Sequence, residues 1–120
     1  MNRLLRSFKY AANGLATCFK TQPNFRMHLV LAIIAVIAAA YLRISSWQWI
    51  VIIICILTVL AAELFNTAIE KICDHVHPSY NPQIKIIKDI AAGAVLLVAV
   101  MSVVAALVIF IPAILNHANS

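Results

Sequence analysis

The 120-residue chain has little glycine, little acid and little charge of any kind. Gly14 and Gly93 are the only glycines, so no P-loop, kinase glycine loop or dinucleotide fingerprint can be built. Any nucleotide bound here must have its phosphates held by side chains and metal. The three cysteines, Cys18, Cys55 and Cys73, lie far apart in or beside apolar helices, which excludes a zinc cluster or a disulfide framework and leaves them as small buried hydrophobes. Charged residues make up 11% of the chain and hydrophobic ones 64%, too apolar for an ordinary soluble domain. The four acids are Glu63, Glu70, Asp74 and Asp89, and three of them fall in one short stretch, AELFNTAIEKICD.

What is abundant is hydrocarbon. Residues 25–42, 47–70 and 90–115 are each apolar enough to cross about 30 Å of hydrocarbon at about 1.5 Å per residue. The fold class is therefore an all-α membrane protein with three transmembrane helices, and residues 1–120 form a single integral-membrane domain. Ahead of the spans, over about residues 2–21, Leu4, Phe8, Ala11, Leu15 and Phe19 recur at helical spacing. Arg3, Arg6, Lys9 and Lys20 fall on the other side, as in an amphipathic helix lying along a membrane surface. Its basic start passes into this amphipathic segment and not into an apolar run with a cleavage site, so the helix is expected to be retained.

Arg3, Arg6, Lys9, Lys20 and Arg26 lie before or at the start of the first span and Lys71, Lys85 and Lys88 lie between the second and third, whereas only Arg43 is on the opposite side. The N-terminus is thus expected in the cytoplasm, with Tyr41, Trp47 and Trp49 at the outer headgroup level. The net charge of +5 reads as a topology signal, and no nucleic-acid partner is indicated. A loop is expected over residues 74–85, where Pro78, Ser79 and Pro82 break the helical pattern.

On a wheel at about 100° per residue, Glu63, Asn66, Glu70 and Asp74 occupy about 80° of one helix. Asp74 is nearest the cytoplasm and Glu63 lies about 16 Å deeper by helical rise. Charge at that depth must face protein, water or a cation. A structural polar seam with Lys71 or Lys88 as counter-charge is one reading. Alternatively the stripe is a site. Paired carboxylates suit Mg²⁺, a lysine suits phosphate oxygens, and a deeper carboxylate can take a proton from a hydroxyl at the headgroup level. Such a site joins a water-soluble phosphate donor to a lipid acceptor. A small cation- or proton-coupled transporter would also use an intramembrane carboxylate stripe, but it would carry polar groups on toward the outer side, where the first and third spans have almost none. A non-catalytic assembly protein would not need the Glu63, Lys88 and Asp89 set.

The run AELFNTAIEKICD, followed by KDIAAGAVLL, resembles the prokaryotic membrane diacylglycerol kinase and undecaprenol kinase family. The shared spacing is Glu, two residues, Asn-x-Ala-Ile-Glu, three residues, Asp, and then Lys-Asp at the start of the next helix. NFRMHL and GLATCFK also look like that family's N-terminal region, so the resemblance covers nearly the whole chain. It implies a homotrimer in the bacterial inner membrane, with active sites shared between neighbours, that phosphorylates a membrane lipid hydroxyl with ATP and Mg²⁺. It makes Glu63 the catalytic base with Asn66 in support, and Glu70 a metal and nucleotide ligand. Lys88 and Asp89 match a nucleotide-contacting pair, Arg3 and Tyr10 match nucleotide contacts from the surface helix, and Tyr80 lies in a loop that closes over the nucleotide.

This sequence departs from the pattern at Gln22, where many members carry a metal-binding glutamate. Gln22 either faces the metal as a neutral oxygen donor or simply ends the surface helix before Pro23. Asp74 or Asp89 would then take a larger share of the metal, while His75 and His77 read as solvated loop histidines. Ala92 and the histidine of FRMHL look more like the undecaprenol kinase branch, although both lipids present a primary hydroxyl at the interface.

Overall fold

A computed structural model describes residues 2–120. Four helices account for nearly all of them: α1 (Arg3–Thr21), α2 (Pro23–Leu42), α3 (Ser46–Val76) and α4 (Pro82–Ala118), with no strand among the described residues. The last three are each long and apolar enough to span a membrane.

Each junction follows from local chemistry. Gln22 adopts an extended backbone ahead of Pro23, which ends α1 and starts α2 with a residue whose missing N–H costs nothing at that position. Arg26, in the first turn of α2, donates from Nη1 to the carbonyls of Phe19 (2.8 Å) and Lys20 (3.1 Å), which the end of α1 would otherwise leave unpaired. Cys18 and Phe25 are buried at this elbow.

Between α2 and α3 the chain turns through Arg43 in the left-handed region (φ 53°, ψ 52°). The N–H groups of Arg43 and Ile44 return to Ala40 and Ala39, and Ile44 packs with Ala39 in the buried cluster, completing a Schellman motif. Ser45 then caps α3 in a reciprocal capping box with Gln48.

The α3–α4 connection is shorter than the expected 74–85 loop. Helix α3 continues to Val76, leaving residues 77–81 as the connection. Pro82 starts α4 rather than breaking a helix, because Asn81 Oδ1 accepts from the N–H groups of Gln83 and Ile84 just after it.

The best-packed cluster, Ala39, Ile44, Ile52 and Ile109 with Trp49 and Phe110 against it, lies at the end of the bundle around the α2–α3 turn. Elsewhere large side chains face outward: Phe65 is 70% exposed and Leu97 74%, and no large described side chain is completely buried. Such a surface is stable in hydrocarbon and not in water. Thr58 and Ser102 return their hydroxyls to carbonyls one turn back, the way hydroxyls are satisfied within a span. All three cysteines are free and buried, as expected.

Candidate active site

Helix α3 presents the acids in sequence, and each meets a different partner. Glu63 is 5% exposed, deep in the bundle, and its Oε1 lies 3.2 Å from Nε2 of His28 on α2. One turn toward the α3–α4 connection Thr67 is equally buried. Asn66 Nδ2 donates to Glu70 Oε1 at 3.3 Å, while Asn66 Oδ1 is buried with no hydrogen-bond partner. At the helix end Asp74 Oδ1 accepts from Lys88 Nζ at 2.6 Å, tying α3 to the start of α4.

The stripe therefore exists in three dimensions, with Lys88 at its upper rung. Asn66 supports Glu70 by hydrogen bonding and makes no hydrogen bond to Glu63. Asp89 pairs with Lys85 one turn back on its own helix, exposed, away from Glu63 and Glu70. Arg3, Tyr10 and Tyr80 are exposed, and no hydrogen bond or ion pair joins them to the stripe. Gln22 donates locally to Thr21 Oγ1 at 3.4 Å, consistent with its place in the helix break. His77 Nδ1 lies 2.9 Å from the Ser79 carbonyl, so it braces the loop.

His28 was not anticipated as the partner of Glu63. A signal was present: between residues 27 and 40 and between 90 and 115 it is the single ionisable residue, and an intramembrane carboxylate needs one. His28 also stands at the head of a cavity of about 280 Å³ between α2, α3 and α4, walled by residues such as Ala35, Cys55, Val59 and Phe110, with Ser102 as its other polar group.

A divalent hard cation fits the middle rung. The orphaned Asn66 Oδ1 and the Glu70 carboxylate are the oxygen donors that could hold one, and Mg²⁺ commonly takes only one or two protein ligands with phosphates and water completing its shell. Among the described residues no cluster of three or more His, Cys, Asp or Glu side chains is placed to hold a metal alone.

A bundle of three apolar spans with a buried carboxylate on one helix and an ion pair at its end defines a small multi-pass membrane protein. The family profile described as prokaryotic diacylglycerol kinase matches residues 9–110, and the chain belongs to that family of lipid kinases. It is 36% identical over 112 residues to the undecaprenol kinase of Bacillus subtilis, covering 93% of this chain and 91% of that protein. It is 39% identical over 114 residues to a diacylglycerol kinase of Synechocystis, covering 94% of this chain and 65% of the relative. The diacylglycerol kinase of Escherichia coli K12 is 26% identical over 102 residues, 85% of this chain and 84% of its own length.

Proposed function

We propose that this protein transfers the γ-phosphate of MgATP to the primary hydroxyl of a membrane lipid, undecaprenol or diacylglycerol. The observation that carries the reading is a nearly buried Glu63 at the foot of a polar stripe whose upper rungs suit a metal and phosphates. Glu63 takes the proton of the acceptor hydroxyl as its oxygen attacks the γ-phosphorus. The new O–P bond forms as the bond to the β-phosphate oxygen breaks, and ADP leaves. Glu70 and Asn66 Oδ1 are the residues that would hold Mg²⁺, which would supply charge neutralisation to the triphosphate when bound. Lys88 exchanges Asp74 for phosphate oxygens, and the acceptor's hydrocarbon occupies the cavity that begins at His28.

The same reading has the N-terminus in the cytoplasm of a bacterium, the protein in the inner membrane, and α1 along the membrane surface, where Leu4, Phe8 and Phe19 face outward. It also has the chain as a homotrimer with composite sites. Asp89, Arg3, Tyr10 and Tyr80 do not converge on the stripe of their own chain, which supports completion by a neighbour. A transporter is disfavoured because beyond Glu63 the cavity walls are hydrocarbon apart from Ser102. The test is transfer of label from γ-labelled ATP, with Mg²⁺, to each lipid in mixed micelles. Labelled lipid phosphate is expected; no transfer to either lipid by folded protein overturns the proposal.

A further inference from the structure

The deep end of the stripe contains a pairing that the catalytic scheme above leaves unused. Glu63 is 5% exposed, and among the described residues the ionisable group that meets its carboxylate is His28, whose Nε2 lies 3.2 Å from Oε1. An ionised carboxylate in hydrocarbon persists only with a donor to hold it. His28 reaches across from α2 and its side chain is itself only 17% exposed, so the pair is fixed by two helices rather than by a mobile loop.

We propose that His28 is a positioning residue for the phosphoryl-transfer reaction: its Nε2–H holds Oε1 of Glu63 and leaves Oε2 to receive the acceptor's proton. A carboxylate can only accept, so the imidazole nitrogen facing it carries the hydrogen. With Oε1 held, rotation of the carboxylate is stopped and one oxygen remains for the hydroxyl. Because His28 also heads the apolar cavity, the same ring separates the hydrocarbon of the acceptor from the base and sets where the hydroxyl arrives. The inference rests on Glu63 acting as the base, and the experiment separates the two.

The experiment compares kcat and KM for MgATP in wild type, His28→Leu, His28→Gln, Glu63→Gln and the His28→Leu/Glu63→Gln double variant, in mixed micelles. His28→Leu keeps bulk and removes the donor; kcat is expected to fall about tenfold or more, less than the full contribution of a general base, with KM for MgATP unchanged. His28→Gln retains an N–H donor and is expected to recover most of kcat. In the Glu63→Gln background His28→Leu is expected to cause no further loss, because the two residues act as one unit. A merely structural role predicts the opposite: equal losses for Leu and Gln, and a His28→Leu loss that multiplies with that of Glu63→Gln. Either result overturns the proposal. Wild-type kcat in His28→Leu alongside a slow Glu63→Gln removes His28 only, whereas wild-type kcat in Glu63→Gln removes the base and His28 together.

Discussion

Asn66 offers the sharpest separation of stability from activity. Its Nδ2 donates to Glu70 at 3.3 Å, while its Oδ1 is buried without a partner. Asn66→Leu replaces the amide by a similar volume of hydrocarbon. A hydrogen bond to a charged group contributes about 1.5–3 kcal/mol, and one this long lies at the weak end. The unpaired buried oxygen costs about 1–3 kcal/mol, which the substitution relieves. The two nearly cancel, so unfolding in detergent micelles is expected within about 1 kcal/mol of wild type. On the proposed reading activity does not share that cancellation, since Mg²⁺ would lose an oxygen donor and Glu70 loses the amide that hydrogen-bonds it. A loss of about 1.5 kcal/mol in nucleotide binding raises KM for MgATP about tenfold. Thermal unfolding and steady-state kinetics on the same preparation check both halves. A destabilisation beyond about 2 kcal/mol, or an unchanged KM, would refute the reasoning, because Asn66 would then be a packing residue.

Glu63→Gln should lower kcat while sparing nucleotide binding, and Glu70→Gln should weaken MgATP binding; isothermal titration beside turnover would expose a reversed pattern. Lys88→Gln is expected to raise KM for MgATP, whereas Asp74→Asn, which frees Lys88 from its 2.6 Å pair, should leave it unchanged or lower it. A rise in both would make Asp74 a metal ligand. Gln22→Glu should give a Mg²⁺ titration that overlays that of wild type, since Gln22 occupies the break before Pro23 and bonds to Thr21. A shift to lower Mg²⁺ would instead bring that side chain to the metal.

The helices were legible because long apolar runs leave a chain no other way to satisfy its backbone in lipid. The stripe of Glu63, Asn66, Glu70 and Asp74 followed from helical periodicity alone. What periodicity omits is the rotation of one helix about its axis relative to the next. His28 facing Glu63 and Lys88 facing Asp74 both depend on that rotation, whereas Asp89 with Lys85 is an i,i+4 pair within α4 that spacing alone allows. The connection after α3 is shorter than the pattern suggests for a different reason: proline in sequence signals a break, yet behind an asparagine cap it is a good first helical residue. Asn66 bonding to Glu70 and not Glu63 is a rotamer choice, beyond the reach of spacing.

Arg26 holds two carbonyls of α1 from the first turn of α2, and His28 stands only two positions further along the same helix. The guanidinium grips the last turn of α1 like a clasp, so the surface helix and the His28 end of α2 are joined through one side chain. On the proposed placement of α1 along the membrane surface, the elbow would be the fulcrum between the plane of the membrane and its interior.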